Sequence, residues 1–465
     1  MEHMTDKEKE KEKTVFYYGV PFLGTIFVLW YIMASSWDMA YSDYMRQILS
    51  YLPDVWNPDK FFVADILTRI PINFPVRAFN VSILGFSVTF DLMLGGLGLG
   101  LAAFVLASYG KAAKVPAVWF LVLMALFFSL NKWEMLTNGT GWVHFFAFAC
   151  FYYHYVVFDR MERVEGKRGD HIKLLVLPFF ITLCVAGPYC AVYTGVMLLA
   201  YGFAAGRKKA DSGKWDMQYL KYGVSMMIPL FLYMVSSSYS VSEHAGAYEG
   251  PMLPVLMEQP ELFVKFFIKS FAGMVTGQEA FEELVNKGFF PYVLVYLLGL
   301  AVIGGYFAAI YLNFRYRLYE KTMLPLILLA AGGMNHVLIL LSRWIFLKDT
   351  YGMSSRYALQ FQVGILGIIL TVGLLWDRMK GKLIKTMAVC WCILLLLGNG
   401  YTTYREVKIA PNRKEWGQTV AEMALHYEDF SDEELKKWFQ YKSGEKIRKA
   451  LSILEENHLN VYRER

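Results

Sequence analysis

Charge is the scarce property of this chain. Only 18% of its 465 residues are Asp, Glu, Lys or Arg, against about 25% in soluble domains, while 56% are hydrophobic. The shortage excludes an ordinary water-soluble globule. Apolar runs of about 20 residues, long enough to cross a hydrocarbon core, recur until near Tyr401, where a soluble core would show amphipathic periods. Cysteine is scarce as well. Cys150, Cys184, Cys190, Cys390 and Cys392 all lie in or beside apolar runs, so no disulfide framework is implied and they read as small core residues. A net charge of +6 is too small to argue for a nucleic-acid partner. No small-residue cleavage site follows the first apolar run, so the lysine-rich start is expected to be a cytoplasmic tail on a retained span. Internal repeats are also missing. The run "GGLGLG", with Gly95, Gly96, Gly98 and Gly100, follows no strand and lies inside an apolar span, which points to close helix packing rather than phosphate binding.

What remains predicts an all-α polytopic membrane protein of about eleven spans, with outer interfacial helices and a small outer C-terminal helical tail. The spans are expected near 14–36, 81–110, 114–131, 142–158, 173–187, 190–206, 221–239, 289–313, 322–342, 357–376 and 385–401. The basic loops "KAAK", "DRMERVEGKRGDHIK", "RKKADSGKWDMQYLK", "RYRLYEK" and "DRMKGKLIK" then share the side of the N-terminus, as the positive-inside rule requires. This depends on a hairpin at Gly187 and Pro188. The outer side receives the long loops 37–80 and 240–288, the short loop 343–356 and the tail 402–465, leaving 1–401 as the membrane domain. In the second long loop, "PELFVKFFIKSFAGMV" spaces Lys265 and Lys269 as an interfacial helix would or serves as a packed connector. In the tail, Ser431 and Glu434 form a capping-box pattern.

Two acids, Asp38 and Asp43, stand in "SSWDMAYSDYMRQ" directly after the first span. A five-residue step puts them on different helix faces, so one is free to face a cavity while the other caps a helix. A shielded carboxylate here is placed to act as a general base toward a hydroxyl, and Asp43 is the first choice. Arg356, in "MSSRYALQF" beside Tyr357, is suited either to gripping a phosphate or to snorkelling as an interface anchor, and Arg343, at the other end of the same short loop, is a second candidate for the phosphate. Asp91 is expected about ten residues into the second span, where an ionisable group is functional by default unless it pairs with a nearby Arg or Tyr. Glu134 and Lys132 flank an outer turn, where they either line the same cavity or pair with each other. Arg69, in "LTRIPINF", joins the substrate-binding candidates. His336 sits in a strongly apolar span, as a buried structural histidine or as the histidine of a membrane-bound O-acyltransferase. His244, with Glu243 and Glu249, lacks ligand spacing for zinc.

The layout and the stretches "DYMRQILSYLPDVW", "LTRIPINF", "SSRYALQF" and "ILEENHLNVY" resemble the GT-C superfamily of integral-membrane glycosyltransferases, in particular bacterial surface-polysaccharide members. The resemblance implies a sugar donor carried on polyprenyl phosphate, a glycan or lipid acceptor, and a site at the outer face of a bacterial plasma membrane. It maps the catalytic or metal-contacting acid onto Asp38 or Asp43 and the phosphate-facing residue onto Arg356. Many members carry adjacent acids, whereas those here are separated, so no ligand set is assigned for the divalent cation, Mg or Mn, that the resemblance allows. The competing expectations are a lipid-linked oligosaccharide flippase or other transporter, for which internal repeats are the usual sign, and a polysaccharide polymerase or ligase.

Overall fold

A computed structural model describes residues 6–62, 64–65, 68–163, 167–236 and 247–463. The described residues are all-helical apart from a two-residue ladder that pairs Ala64 with Arg69 and Asp65 with Thr68. Its helices are α1 (Asp6–Ser35), α2 (Asp43–Tyr51), α3 (Asn73–Leu84), α4 (Val88–Ala113), α5 (Ala117–Phe127), α6 (Trp133–Thr137) and α7 (Trp142–Arg163). Then come α8 (Arg168–Phe180), α9 (Cys190–Ser212), α10 (Met217–Ser236), α11 (Met252–Glu258), α12 (Pro260–Ala272) and α13 (Gln278–Asn286). The last are α14 (Leu294–Arg315), α15 (Leu324–Arg343), α16 (Ala358–Leu375), α17 (Lys382–Leu425), α18 (Asp432–Trp438) and α19 (Gly444–Glu456). Among the described residues, eight segments, built on α1, α4, α5, α9, α14, α15, α16 and α17, are long and apolar enough to cross a membrane.

Contacts at the two ends of the bundle fix the order of its helices. At the end away from residues 36–59, Lys111 of α4 pairs with Glu10 of α1 at 3.1 Å, and Trp119 of α5 meets Trp376 beyond α16. Asp159 of α7 accepts from Thr322 at 2.6 Å just before α15, and Glu162 of α7 holds Arg207 of α9 at 2.6 Å. Tyr219 of α10 bonds the same Glu162, and Arg160 pairs with Asp170 of α8. The chain does reverse at Gly187 (φ 52°): His171 and Tyr222, at the starts of α8 and α10, lie beside Tyr201 near the end of α9.

Glycines make the tightest helix contacts. A Cβ on Gly96 would meet Leu29 Cδ2 at 2.7 Å and one on Gly100 would meet Thr25 Oγ1 at 2.5 Å, both on α1. On the α7 side, one on Gly98 would meet the backbone nitrogen of Phe146 at 3.0 Å. The "GGLGLG" run therefore lets α4 approach both neighbours at once.

Three boundaries differ from expectation. The span expected over 81–110 is two helices, because Gly85 (φ 58°) ends α3 in the left-handed region and Ser87 caps a new helix through the Phe90 amide. Asp91 consequently falls in the first turn of α4 and not ten residues deep. The boundary drawn at 401/402 lies inside α17, a continuous helix of 44 residues. The polar tail is no separate appendage, either. Ser431 and Glu434 form their capping box, but the Ser42 amide bonds the Phe439 carbonyl at 2.7 Å, and Asn460 bonds Ala40, Asp38 and Phe86.

In the second long loop α12 is a packed connector: Phe263, Phe266 and Phe271 are buried, and Lys269 turns inward to Asp349 at 2.7 Å while Lys265 stays exposed. Glu243 and His244 lie outside the described residues. His336 is clamped between the rings of Phe271 and Phe361, with centroids 3.6 and 4.1 Å away, and its Nδ1 meets Ser270 Oγ at 2.7 Å. It is a packed core histidine and lines neither of the cavities described next.

Candidate functional site

Two cavities open where the first loop, the α5–α7 turns, the loop before α16 and the tail converge. The first holds about 480 Å³ and is lined by Asp43, Arg46, His144, Arg343, Tyr357 and Lys442, among others. The second, of about 530 Å³, lies against Trp37, Trp133, Arg405, Arg413 and Trp416. Ser42, Glu134, Asn138, Arg356 and Gln440 line both, so the cavities share a wall.

Asp43 opens α2 and faces the first cavity, its side chain 32% exposed. Asn138 Nδ2 lies 3.4 Å from its Oδ2, and Arg46 stands 3.6 Å from its Oδ1. That leaves the carboxylate lone-pair capacity for a further donor. Asp38 does not have this freedom. Its Oδ1 accepts from the amides of Val88 at 2.5 Å and Thr89 at 3.0 Å, and its Oδ2 from Ser87 Oγ at 3.1 Å and Arg463 at 2.9 Å. It serves as a second N-cap for α4, a place where the helix dipole favours an acid. It lines neither cavity.

Arg356 Nε bonds Glu134 Oε1, and Ser355 Oγ bonds the other oxygen at 3.1 Å. The expected Lys132–Glu134 pairing is thus corrected: Lys132 points inward and donates to the carbonyls of Phe127 and Ser129, both at 2.8 Å. Arg343 lies over the Tyr357 ring, 5.6 Å from its centroid. Its Nε is buried without a hydrogen-bond partner, and among the described residues no carboxylate pairs with it. In this wall it is a cation held by stacking and left free to bond an anion.

Asp91 is fully buried and lines neither cavity. It pairs with Arg77 at 2.8 Å and accepts from Tyr44 Oη at 2.9 Å and Asn80 Nδ2 at 3.0 Å. Arg77 in turn bonds Gln47 at 2.8 Å, which locks α2, α3 and α4 together beneath Asp43. The alternative to function, a pairing with a nearby Arg or Tyr, is the arrangement found. The side chain of Arg69 lies outside the described residues.

Sequence reasoning missed the α17 side of the site. Arg405, Ile409, Asn412, Arg413 and Trp416 line the second cavity at steps of four, three, one and three residues, the stripe of one helix face. Placing this stretch in a separate tail hid the stripe. Glu406 holds both arginines, accepting from Arg405 at 2.8 Å and Arg413 at 2.7 Å. Arg413 also covers the Trp133 ring, 3.4 Å from its centroid. Tyr41 closes the floor, and burial together with the nearby Glu134 pushes its hydroxyl up to about 12.

The donor set does not suit a divalent cation. No group of three or more His, Cys, Asp or Glu gathers among the described residues, and of the two acids in the first cavity Glu134 is taken up by Arg356. No family model, curated protein or solved structure matches this chain.

Proposed function

We propose that the chain is a membrane glycosyltransferase that moves a sugar from a polyprenyl-phosphate donor to a glycan or lipid hydroxyl at the outer face of a bacterial plasma membrane. In this reading α7, α8 and α10 cross with the eight apolar segments, giving eleven spans. Their support is the set of contacts that brings them to the same end of the bundle as their neighbours. The N-terminus is then cytoplasmic and the cavities are extracytoplasmic.

One observation carries the proposal: a single cavity is bounded by an available carboxylate, Asp43, and by three arginines, Arg46, Arg343 and Arg356, of which Arg343 has no acidic partner among the described residues. Glycosyl transfer from a phosphate donor needs those two halves. The acceptor oxygen bonds the anomeric carbon as the bond from that carbon to the phosphate oxygen breaks. The electron pair leaves with the polyprenyl phosphate, and the hydroxyl proton passes to Asp43. Arg343 and Arg356 offset the charge growing on the phosphate through charge-assisted hydrogen bonds.

Polyprenyl phosphate and a polyprenyl-phosphate hexose, offered to the full chain in nanodiscs, are the probes. Arg343→Ala should weaken polyprenyl-phosphate binding by about 10- to 100-fold, the value of a hydrogen bond to a charged group. Asp43→Asn should retain that binding and lose hexose transfer to added membrane glycans. Undiminished binding by Arg343→Ala, or undiminished transfer by Asp43→Asn, would sink the assignment.

A further inference from the structure

Two cavities meet at one wall, and their charges differ in kind. In the first, Arg46, Arg343, Arg356 and Lys442 face Asp43 and Glu134, so cations exceed acids, as an anionic ligand requires. In the second, every lining arginine has its own carboxylate: Arg356 has Glu134, Arg405 has Glu283 and Glu406, and Arg413 has Glu406. Glu279 adds a further acid to the lining. An anion entering there would meet charges already neutralised.

The second cavity is instead rich in flat rings. Trp37, Trp133 and Trp416 line it, and Trp416 is set edge-on to Tyr41 at 4.9 Å. Two donors at its wall, Trp133 Nε1 and Arg413 Nε, are buried with no hydrogen-bond partner among the described residues, an arrangement native structures rarely leave unmet. Arg413 covers one face of Trp133; the indole faces left open suit the apolar faces of a pyranose ring, and paired Arg and Glu side chains with Asn412 offer donors and acceptors to hydroxyls in fixed positions.

We propose that the second cavity binds the acceptor, and that the acceptor presents a neutral saccharide there. The proposal rests on the glycosyltransferase reading. It adds which substrate enters which cavity and on what chemistry. A hydroxyl leading from the second cavity reaches the donor at the shared wall, where Asn138 touches both spaces and Asp43. Trp416, Asn412 and Trp37 belong to the acceptor alone, since none of them lines the first cavity.

The full chain in nanodiscs is titrated with the methyl glycosides of glucose, galactose and N-acetylglucosamine, and separately with glucuronic acid, with indole fluorescence as the readout. At least one neutral glycoside should bind at millimolar concentration. Trp416→Ala and the milder Asn412→Ala should each weaken it by about tenfold or more, while polyprenyl-phosphate binding stays unchanged and reports intact folding. Stronger binding of glucuronic acid, no binding of any neutral glycoside, or neutral binding indifferent to both variants overturns the acceptor assignment. Loss of polyprenyl-phosphate binding from the unaltered protein would instead overturn the donor reading, so the two failures are distinguishable.

Discussion

Asp38 and Arg463, 425 positions apart, meet at 2.9 Å. One begins the loop after the first apolar helix and the other lies in the tail, so the tail is tied to that loop beside the α4 N-terminus. Asn460 completes the joint. Its side chain accepts from the Ala40 amide at 3.3 Å and donates to the carbonyls of Phe86 at 2.9 Å and Asp38 at 3.3 Å.

Asn460→Ala removes those bonds from a nearly buried position. Stranding their partners should cost about 1–3 kcal/mol, seen as a lower melting temperature in detergent. A melting temperature equal to that of the unaltered chain would show that the tail is only loosely applied.

Breaking the Asp91–Arg77 pair should be more damaging. Asp91→Asn leaves a buried guanidinium without a counter-charge, a change of about 3–5 kcal/mol, whereas joint replacement of Asp91 by Leu and Arg77 by Met should recover part of the loss. Equal stability of Asp91→Asn and the unaltered protein would contradict the buried pairing.

The α1–α4 contact is tested through glycines. Gly100→Val drives a side chain into Thr25, while Gly202→Val on α9 meets nothing within 4 Å. Overpacking of about 1–3 kcal/mol is expected at Gly100 and little change at Gly202. Matching melting temperatures would rule out the close approach.

Acid should loosen α13 from α17. Hydrogen bonds from Lys287 and Arg405 depress the Glu283 carboxyl to about 2, below its unfolded value of about 4.3. The stabilisation is therefore complete above the unfolded value and disappears as pH falls from there toward about 2. The protection of the amides of residues 278–286 against hydrogen exchange, taken relative to their intrinsic rates at each pH, should fall across that window, and Arg405→Ala should move the fall to higher pH. Protection independent of pH there would remove the electrostatic tether.

Much of the helical layout was legible because apolar length and basic loops are local signals: the start of α9, the end of α14 and both ends of α15 fall close to the predicted spans. The break at Gly85 was not, since an apolar run reads through a single glycine and only the fold gives that residue its positive φ. Partner choice was less legible still. Lys132 and Glu134 are two residues apart in the chain, yet one bonds backbone carbonyls and the other an arginine 222 positions away. Nothing in local spacing encodes a bond of that reach. Asp38 and Asp43 look alike in sequence, and what separates them is the α4 N-terminus that folding brings to Asp38 alone.

At 1.5 Å per residue, the 44 residues of α17 make a rod of ~66 Å, about twice the ~30 Å thickness of a hydrocarbon core. Its proline, Pro411, lies past the apolar half. A tilt of that half is carried along the helix to Arg405, which precedes the proline, so the width of the ring-lined cavity is coupled to the lean of a helix anchored tens of ångströms away.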